Sequence, residues 1–265
     1  MKNGFGVFFA VVIALGLSWM GFVVAPAVQL GTAKRTTVLG TGDNWPLQRT
    51  GEATLGEQIY RANGCVACHT MQIRQDGVAC EVTLAKSGKN PEVVSNLLAT
   101  LKLSGLTKEE ADDVVGKIKD AGGKAETHVI PAGADIARGW GVRKSVAADY
   151  LYDAPVQLGT LRVGPDLANL GGRMADANIL LQHLYAPGAV MKNSAMPSYK
   201  FLFEVRKVGS APSNDALNLP KEFAPADGYE VVPKPEAKQL VAYLLSLHAD
   251  VPLYEAPFTP AATKP

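Results

Sequence analysis

Gly64-Cys65-Val66-Ala67-Cys68-His69-Thr70 is the stretch on which the reading of this chain turns. Two cysteines two residues apart, with a histidine directly after the second, have the spacing of covalent haem attachment. The two thiols bond to the vinyl carbons and the imidazole binds the iron. A C-x-x-C pair alone also suits a redox dithiol or half of a zinc site. Zinc needs a second Cys or His pair at matching spacing, and the sequence offers none. The expectation is one covalent haem c, with Cys65, Cys68 and His69 holding it. Two questions follow: what occupies the other face of the iron, and what exchanges electrons with it.

Working outward, the chain has 265 residues, 47% of them apolar, and a formal net charge of +1. That suffices for one or two packed domains, and the charge is too balanced for a disordered tail. It gives no strong attraction to nucleic acid or anionic lipid. The remaining cysteine, Cys80, has no partner and reads as a small buried apolar side chain rather than a reactive thiol. From Phe5 to Val28 the residues FGVFFAVVIALGLSWMGFVVAPAV are apolar but for one serine, and no charge occurs between Lys2 and Lys34. As a helix this stretch is about 36 Å long at 1.5 Å per residue, enough to cross a bilayer. A secretory signal is the alternative, with Ala25-Pro26-Ala27 imitating a cleavage site, but its apolar region is usually shorter. The expectation is an uncleaved transmembrane anchor over residues 1–30, with Lys2 inside. Lys34 and Arg35 on the far side weaken any orientation drawn from charge alone.

Residues 31–50 are polar, Gly/Thr-rich and aperiodic, and read as a linker. Thr54 is a candidate cap for a helix running through Leu55, Ile59 and Tyr60 into the haem motif. Near the other end Pro235 opens PEAKQLVAYLLSLHAD, whose Ala237, Leu240, Val241, Leu244, Leu245 and Leu247 predict an amphipathic helix. Between them, residues 75–134 have a different character. The pattern is a strand at 78–87, helices at 91–103 and from Leu106 to Ala121, and a strand at 124–130. It predicts a small α+β (β-α-α-β) module inserted between two parts of a mainly α domain, 51–74 and 135–250, with a tail at 251–265. GLTKEEADDVVGKIKDAGGKAE within it is faintly similar to the C-terminal domain of a large-subunit ribosomal protein, a likeness too short to carry function.

The second axial ligand is sought among Met174, Met191, Met196, His128, His183 and His248. Met196 stands in Asn193-Ser194-Ala195-Met196-Pro197-Ser198-Tyr199, where turn residues and a proline would hold a weak thioether ligand in place. It is the favoured candidate, with Met191 or a second histidine left open. His183, in the apolar run LLQHLY, is expected to be buried and hydrogen-bonded rather than a ligand. His128 is expected to end a strand and His248 to end the last helix, where a cation suits the helix dipole.

A helix just before the haem motif and another near the C-terminus resemble the class I c-type cytochromes. In that family the two helices cross, with a small residue meeting an aromatic, here Gly56 and Tyr60 against Tyr243 and Leu244. More specifically, the order of motifs resembles the mono-haem, membrane-anchored subunit of cbb3-type cytochrome c oxidases. The matching pieces are GEQIYRANGCVACHTMQIR (56–74), RGWG (138–141), DYLYDAPVQLGTLRVGPDLANLGGR (149–173) and LLQHLYAPGAVMKNSAMPSYKFL (181–202). Two departures stand out: Met71-Gln72 in place of Gln-Met, and residues 75–134 in place of a short loop. The resemblance implies that Cys65, Cys68, His69 and Met196 bind the haem. It also implies that the Pro165 carbonyl accepts from the His69 ring, and that Arg74, Arg162 and Arg173 are candidates for propionate contact. It further implies a haem domain in the periplasm of a bacterial inner membrane.

An iron bound by both His and Met has no open site, which favours electron relay over catalysis. The implied partners are a haem–copper catalytic membrane subunit as acceptor and another c-type cytochrome, subunit or soluble, as donor; the chain by itself is not an enzyme. The small cytochrome subunit of a membrane nitric oxide reductase and a free-standing anchored carrier remain as alternatives.

Overall fold

The fold is taken from a computed structural model that describes residues 4–31, 34–49, 51–88 and 90–258. Lys2, Thr32, Ala33 and Thr50, and residues 259–265 of the expected tail, lie outside that set. The chain divides into two compact units at Thr36/Thr37.

In the first unit, α1 (Gly4–Trp19) passes through a π-helical turn (Met20–Val24) into α2 (Ala25–Gly31). Pro26 accounts for the turn. It has no N–H to offer the carbonyl four residues back, and its ring crowds that carbonyl. The backbone widens just before it, and the Ala25 N–H reaches back to the Met20 carbonyl, the local register shift that relieves such crowding. The continuous stretch Gly4–Gln29 is long and apolar enough to cross a membrane, and none of its apolar window is buried against protein. A helix apolar on every side needs a non-aqueous surrounding, which makes this a membrane-anchor candidate.

β1 (Thr36–Thr37), whose Thr37 is the first residue of the second unit, pairs with β2 (Asn44–Trp45) in a two-stranded ribbon. Then follow α3 (Glu52–Ala62) and a 3-10 turn (Cys65–Ala67). Next come β3 (Gly77–Lys86), α4 (Pro91–Thr100), α5 (Lys108–Asp120) and β4 (Lys124–Ala132). Short helices α6 (Ala134–Ala137), α7 (Leu170–Arg173), α8 (Ala177–Tyr185) and α9 (Pro187–Val190) lead to the hairpin β5 (Phe203–Lys207) with β6 (Tyr229–Pro233). The last helix is α10 (Pro235–Leu245). Among the described residues helix outweighs strand, and the sheets are all two-stranded.

The main core forms where α3 crosses α10. A side chain on Gly56 would put its Cβ 1.9 Å from the Gln239 carbonyl and 2.7 Å from Tyr243 Cβ, so only glycine lets the backbones approach this closely. Beside it the Tyr60 and Tyr243 rings pack at 5.4 Å, both fully buried. Leu180, Leu181 and Leu184 of α8 and Leu240, Val241 and Leu244 of α10 complete the cluster. α10 has the expected apolar spacing but stops at Leu245, where Ser246 caps it through its hydroxyl on the Tyr243 carbonyl. His248 therefore lies beyond the helix, not at its end, and pairs with Asp250 at 3.2 Å.

Residues 77–132 have a core of their own, with Cys80, Val82, Val94, Leu106, Ala111, Val114 and Ile118 buried. β3 and β4 pair antiparallel, with Gly77 opposite Ala132. Thr107 and Glu110 close a capping box at the start of α5, as the Thr-x-x-Glu spacing favours. α4 ends at Thr100, short of the expected 103. The next residues turn extended instead and hydrogen-bond β3, Val82 N–H to the Leu103 carbonyl and Cys80 N–H to that of Leu106. His128 sits inside β4 rather than at its end, with Nε2 2.9 Å from Thr83 Oγ1.

Further expectations need correcting. Thr54 is not the cap of α3, which starts at Glu52 after Gly51; its hydroxyl donates to the Arg49 carbonyl. Leu55 faces outward while Gly56 and Tyr60 face the core. The segment read as a linker over 31–50 is packed at Val38 and Trp45, and the tail read from 251 is packed at Leu253 and Ala256. These residues share a third buried cluster with Val146. Trp45 Nε1 donates to Asp149 at 2.8 Å, an anchorage between segments far apart in the chain.

Candidate functional site

The haem motif follows α3 directly. The Asn63 side chain donates to the Ile59 carbonyl, and Gly64 takes the left-handed conformation that turns the chain into the Cys65–Ala67 turn. Cys65 and Cys68 are both free thiols, not joined to each other. Burial, with Cys68 contributing, pushes the Cys65 thiol up to about 11, so it is neutral at physiological pH. His69 follows with Nδ1 2.8 Å from the Pro165 carbonyl. A carbonyl can only accept, so Nδ1 carries the proton and Nε2 is left with a free lone pair. The ring lies against Gly164, where a Cβ would stand 2.2 Å from His69 Cε1. Such contact on one face and a hydrogen bond at one nitrogen leave the ring little freedom to turn.

The segment 158–167 runs along the motif and holds it from behind. Backbone N–H groups of Gly164 and Leu167 donate to the carbonyls of Cys68 and Thr70, and Met71 N–H donates to that of Leu158. Asp166, fully buried, accepts from the Thr70 hydroxyl at 2.5 Å and from the N–H groups of Gln72 and Ala168. Arg162 faces it at 3.6 Å. The same guanidinium donates to Asp135 at 2.7 Å, to the Thr70 hydroxyl and to the Gln72 carbonyl. Asp135, 2% exposed, also accepts from the Arg74 N–H. Two carboxylates held this deep are tolerable because each meets an arginine and backbone donors. Neither aspartate was singled out in the sequence; a carboxylate directly after Gly164-Pro165 was the available signal.

Of the three arginines considered for propionates, Arg162 and Arg173 have protein acceptors instead. Arg173 donates to the carbonyls of Trp140, at 3.0 Å, and Asp166. Arg74 is exposed, and its guanidinium has no protein partner among the described residues.

Met196 sits in a loop shaped by Asn193, which has a left-handed φ of 63°. Met196 N–H donates to Ser194 Oγ at 3.3 Å, and Tyr199 N–H ties the loop to the Leu184 carbonyl of α8 at 2.8 Å. Met196, Cys65, Val66 and Tyr199 all pack against the main core, whereas Met191 is exposed. Burial raises the Tyr199 hydroxyl's pKa, and the nearby Cys65 and Cys68 thiols add to it, so this loop and the haem motif share one neighbourhood. His183 on α8 departs from expectation: its Nδ1 is buried without a hydrogen-bond partner among the described residues, as is the Tyr60 hydroxyl. A cavity of about 310 Å³ is lined by Trp45, Leu47, Arg49, Tyr150, Tyr152 and Val251 among others. No three His, Cys, Asp or Glu side chains gather as a bare-ion site among the described residues.

Residues 128–222 match the family model for the mono-heme subunit of cytochrome c oxidase, FixO. Over that span the chain is FixO-like. The span includes Pro165, Asp166, His183 and Met196, but Cys65, Cys68 and His69 precede it. No curated protein matches the chain. The description of that family is of a subunit carrying one haem. The residues present fit the group: two free thiols, an imidazole with its outer nitrogen free, and two buried polar atoms with no protein partner.

Proposed function

We propose that this FixO-like chain is a membrane-anchored, mono-haem c-type cytochrome that relays electrons to the catalytic haem–copper subunit of a cbb3-type oxidase. The observation that carries the reading is the hydrogen bond from His69 Nδ1 to the Pro165 carbonyl. It joins the attachment motif to a residue inside the family-matched span. In this reading Cys65 and Cys68 would hold the haem through thioethers, His69 through Nε2 and Met196 through its sulfur would bind its iron, and exposed Arg74 would meet a propionate. A haem so ligated supplies a one-electron couple at raised potential and no open coordination position.

The chain's own residues then act in three ways. The Pro165 carbonyl and Gly164 hold the His69 ring and increase its basicity as a ligand. The Asp166–Arg162–Asp135 network keeps segments 69–74 and 135–166 together, so the proximal side does not rearrange when the charge of the centre changes. The crossing of α3 and α10 is the helix pair of a class I cytochrome domain, into which residues 75–134 are inserted as a separate module. The N-terminal helix keeps the domain at the periplasmic face of the membrane, which replaces diffusive encounter with high effective concentration. A second c-type cytochrome delivers the electrons.

The test is purification through this chain in mild detergent, with reduced-minus-oxidised spectra and gas uptake. Co-purified b-type haem with oxygen uptake is the expected result. Nitric oxide uptake alone, or a lone c-type spectrum, would overturn the oxidase assignment. Met196→Ala should lower the haem potential while the covalent haem stays; an unchanged potential would remove Met196 from the ligand set.

A further inference from the structure

Thr70 follows His69 directly and is buried, 3% exposed. Its hydroxyl lies between two charged side chains. Arg162 Nε donates to it at 2.9 Å, and Asp166 Oδ2 stands 2.5 Å away on the other side. A guanidinium can only donate, so the hydroxyl accepts from Arg162 and its own hydrogen goes to the Asp166 carboxylate. The same Asp166 oxygen accepts from Gln72 N–H at 2.7 Å. A hydroxyl engaged on both sides has little freedom to rotate, and the chain on either side of it is equally confined.

The backbone shows how that confinement reaches His69. Gly164 N–H donates to the Cys68 carbonyl at 3.0 Å, and Leu167 N–H donates to the Thr70 carbonyl at 2.8 Å. Between those two bonds lies Pro165, whose carbonyl accepts from His69 Nδ1 at 2.8 Å. Gly159 closes the other side: a Cβ there would stand 2.2 Å from the His69 carbonyl oxygen and 3.1 Å from Thr70 Cα. The residues flanking Pro165 are thus bonded to the residues flanking His69. On the Cys68 side the tie is backbone alone, whereas on the Thr70 side the hydroxyl adds a side-chain bond to Asp166.

We infer that Thr70 is a positioning residue for His69: its hydroxyl, held between Asp166 and Arg162, keeps the imidazole in register with the Pro165 carbonyl. The contacts are those of the chain itself, and their effect on an iron rests on the proposed haem ligation. Without the hydroxyl, the 69–70 backbone can move against the 164–167 segment and the Nδ1–H bond to Pro165 weakens. The imidazole then becomes a poorer donor to oxidised iron, and the reduced state is favoured. Threonine and valine have nearly the same shape, and neither carries charge. A changed potential in Thr70→Val therefore reports no lost charge.

The test uses the full-length, haem-loaded chain in detergent, as wild type, Thr70→Val and Thr70→Ser. The readouts are the reduction potential and the solvent exchange of the His69 Nδ1–H in the reduced form, followed by nuclear magnetic resonance. Thr70→Val should shift the equilibrium about two- to fivefold toward the reduced form, a rise of about 20–40 mV at 59 mV per tenfold, and speed the exchange by a similar factor. Thr70→Ser keeps the hydroxyl and should stay near wild type in both. Wild-type potential and exchange in Thr70→Val overturn the inference, even if Tm falls. Equal changes in both variants do the same, because the hydroxyl is then not their cause. Absence of covalent haem from the wild type overturns the proposed ligation and this inference together. Should Thr70→Val fail to load haem, exchange in the wild type under rising urea decides. Loss of protection of the His69 Nδ1–H together with the Gln72 N–H, which shares the Asp166 oxygen with Thr70, supports the inference. Exchange at His69 while Gln72 stays protected refutes it.

Discussion

Gly56→Ala tests the crossing on which the core is built. The new Cβ would lie 1.9 Å from the Gln239 carbonyl oxygen, where ordinary contact begins near 3.4 Å, so α3 and α10 would have to part by about 1.5 Å. The obstacle is backbone, which cannot rotate aside. A gap of that size forfeits most of the dispersion between the facing side chains, including the Tyr60–Tyr243 pair. Overpacking of this kind costs about 3 kcal/mol. The better helix propensity of alanine returns up to about 1 kcal/mol, leaving a net loss of about 2 kcal/mol. For a unit of this size that lowers Tm by about 4–8 °C. Thermal unfolding of the detergent-solubilised chain, followed by far-ultraviolet circular dichroism, measures it. Gly116→Ala in α5, where nothing lies within 4 Å of the new methyl, is the matched comparison and should hold or raise Tm by the propensity gain. An unchanged Tm for Gly56→Ala would mean that the helices do not meet as described.

Gly164→Ala would drive a methyl into the His69 ring, with 2.2 Å to Cε1. On the proposed haem ligation it should displace the imidazole and change the haem absorption spectrum while covalent haem stays; a wild-type spectrum would refute the close packing. Asp135→Ala strips Arg162 of its 2.7 Å partner and orphans the Arg74 N–H. Because Arg162 remains partly open to water, the loss should sit near the low end for broken buried pairs, about 3 kcal/mol in urea unfolding, and an unchanged midpoint would dismiss the network's structural role. The hydrogen bond that His248 donates to Asp250 raises the pKa of His248, so the stability this pair contributes is complete below 6.5 and fades as pH rises through the raised value. Asp250, lowered by the same bond, contributes above 3.8 and loses its contribution as pH falls through its lower value. His248→Ala should therefore flatten the alkaline decline of stability, by a small amount because the pair is substantially exposed. Identical slopes in both proteins would count against it.

What was legible in the sequence was what local chemistry decides. The attachment motif and the proline and apolar spacing of α10 each depend on residues within a few positions of one another. The misreadings share an opposite cause. Val38 and Trp45 stand among polar residues without periodicity, and only contacts with Val146, Leu253 and Asp149 bring them inside. α4 ends early because Leu103 and Leu106 are claimed by the edge of β3. Arg162 looked free for a ligand because its partners, Asp135 and the Gln72 carbonyl, come from other parts of the chain. His183 was visible as a buried histidine, but its lack of a partner shows only when its surroundings are assembled.

The pairing of Gly77 with Ala132 at the base of β3 and β4, with Asp76 N–H on the Ala132 carbonyl at 2.9 Å, has a consequence for how the molecule folds. Bringing together the ends of a slack loop this long would cost roughly 3–4 kcal/mol of chain entropy. Here that cost falls on the hairpin and its own buried core, so Arg74 and Asp135 reach each other as if joined by a short turn. To the residues that grip His69, the long excursion is topologically almost invisible.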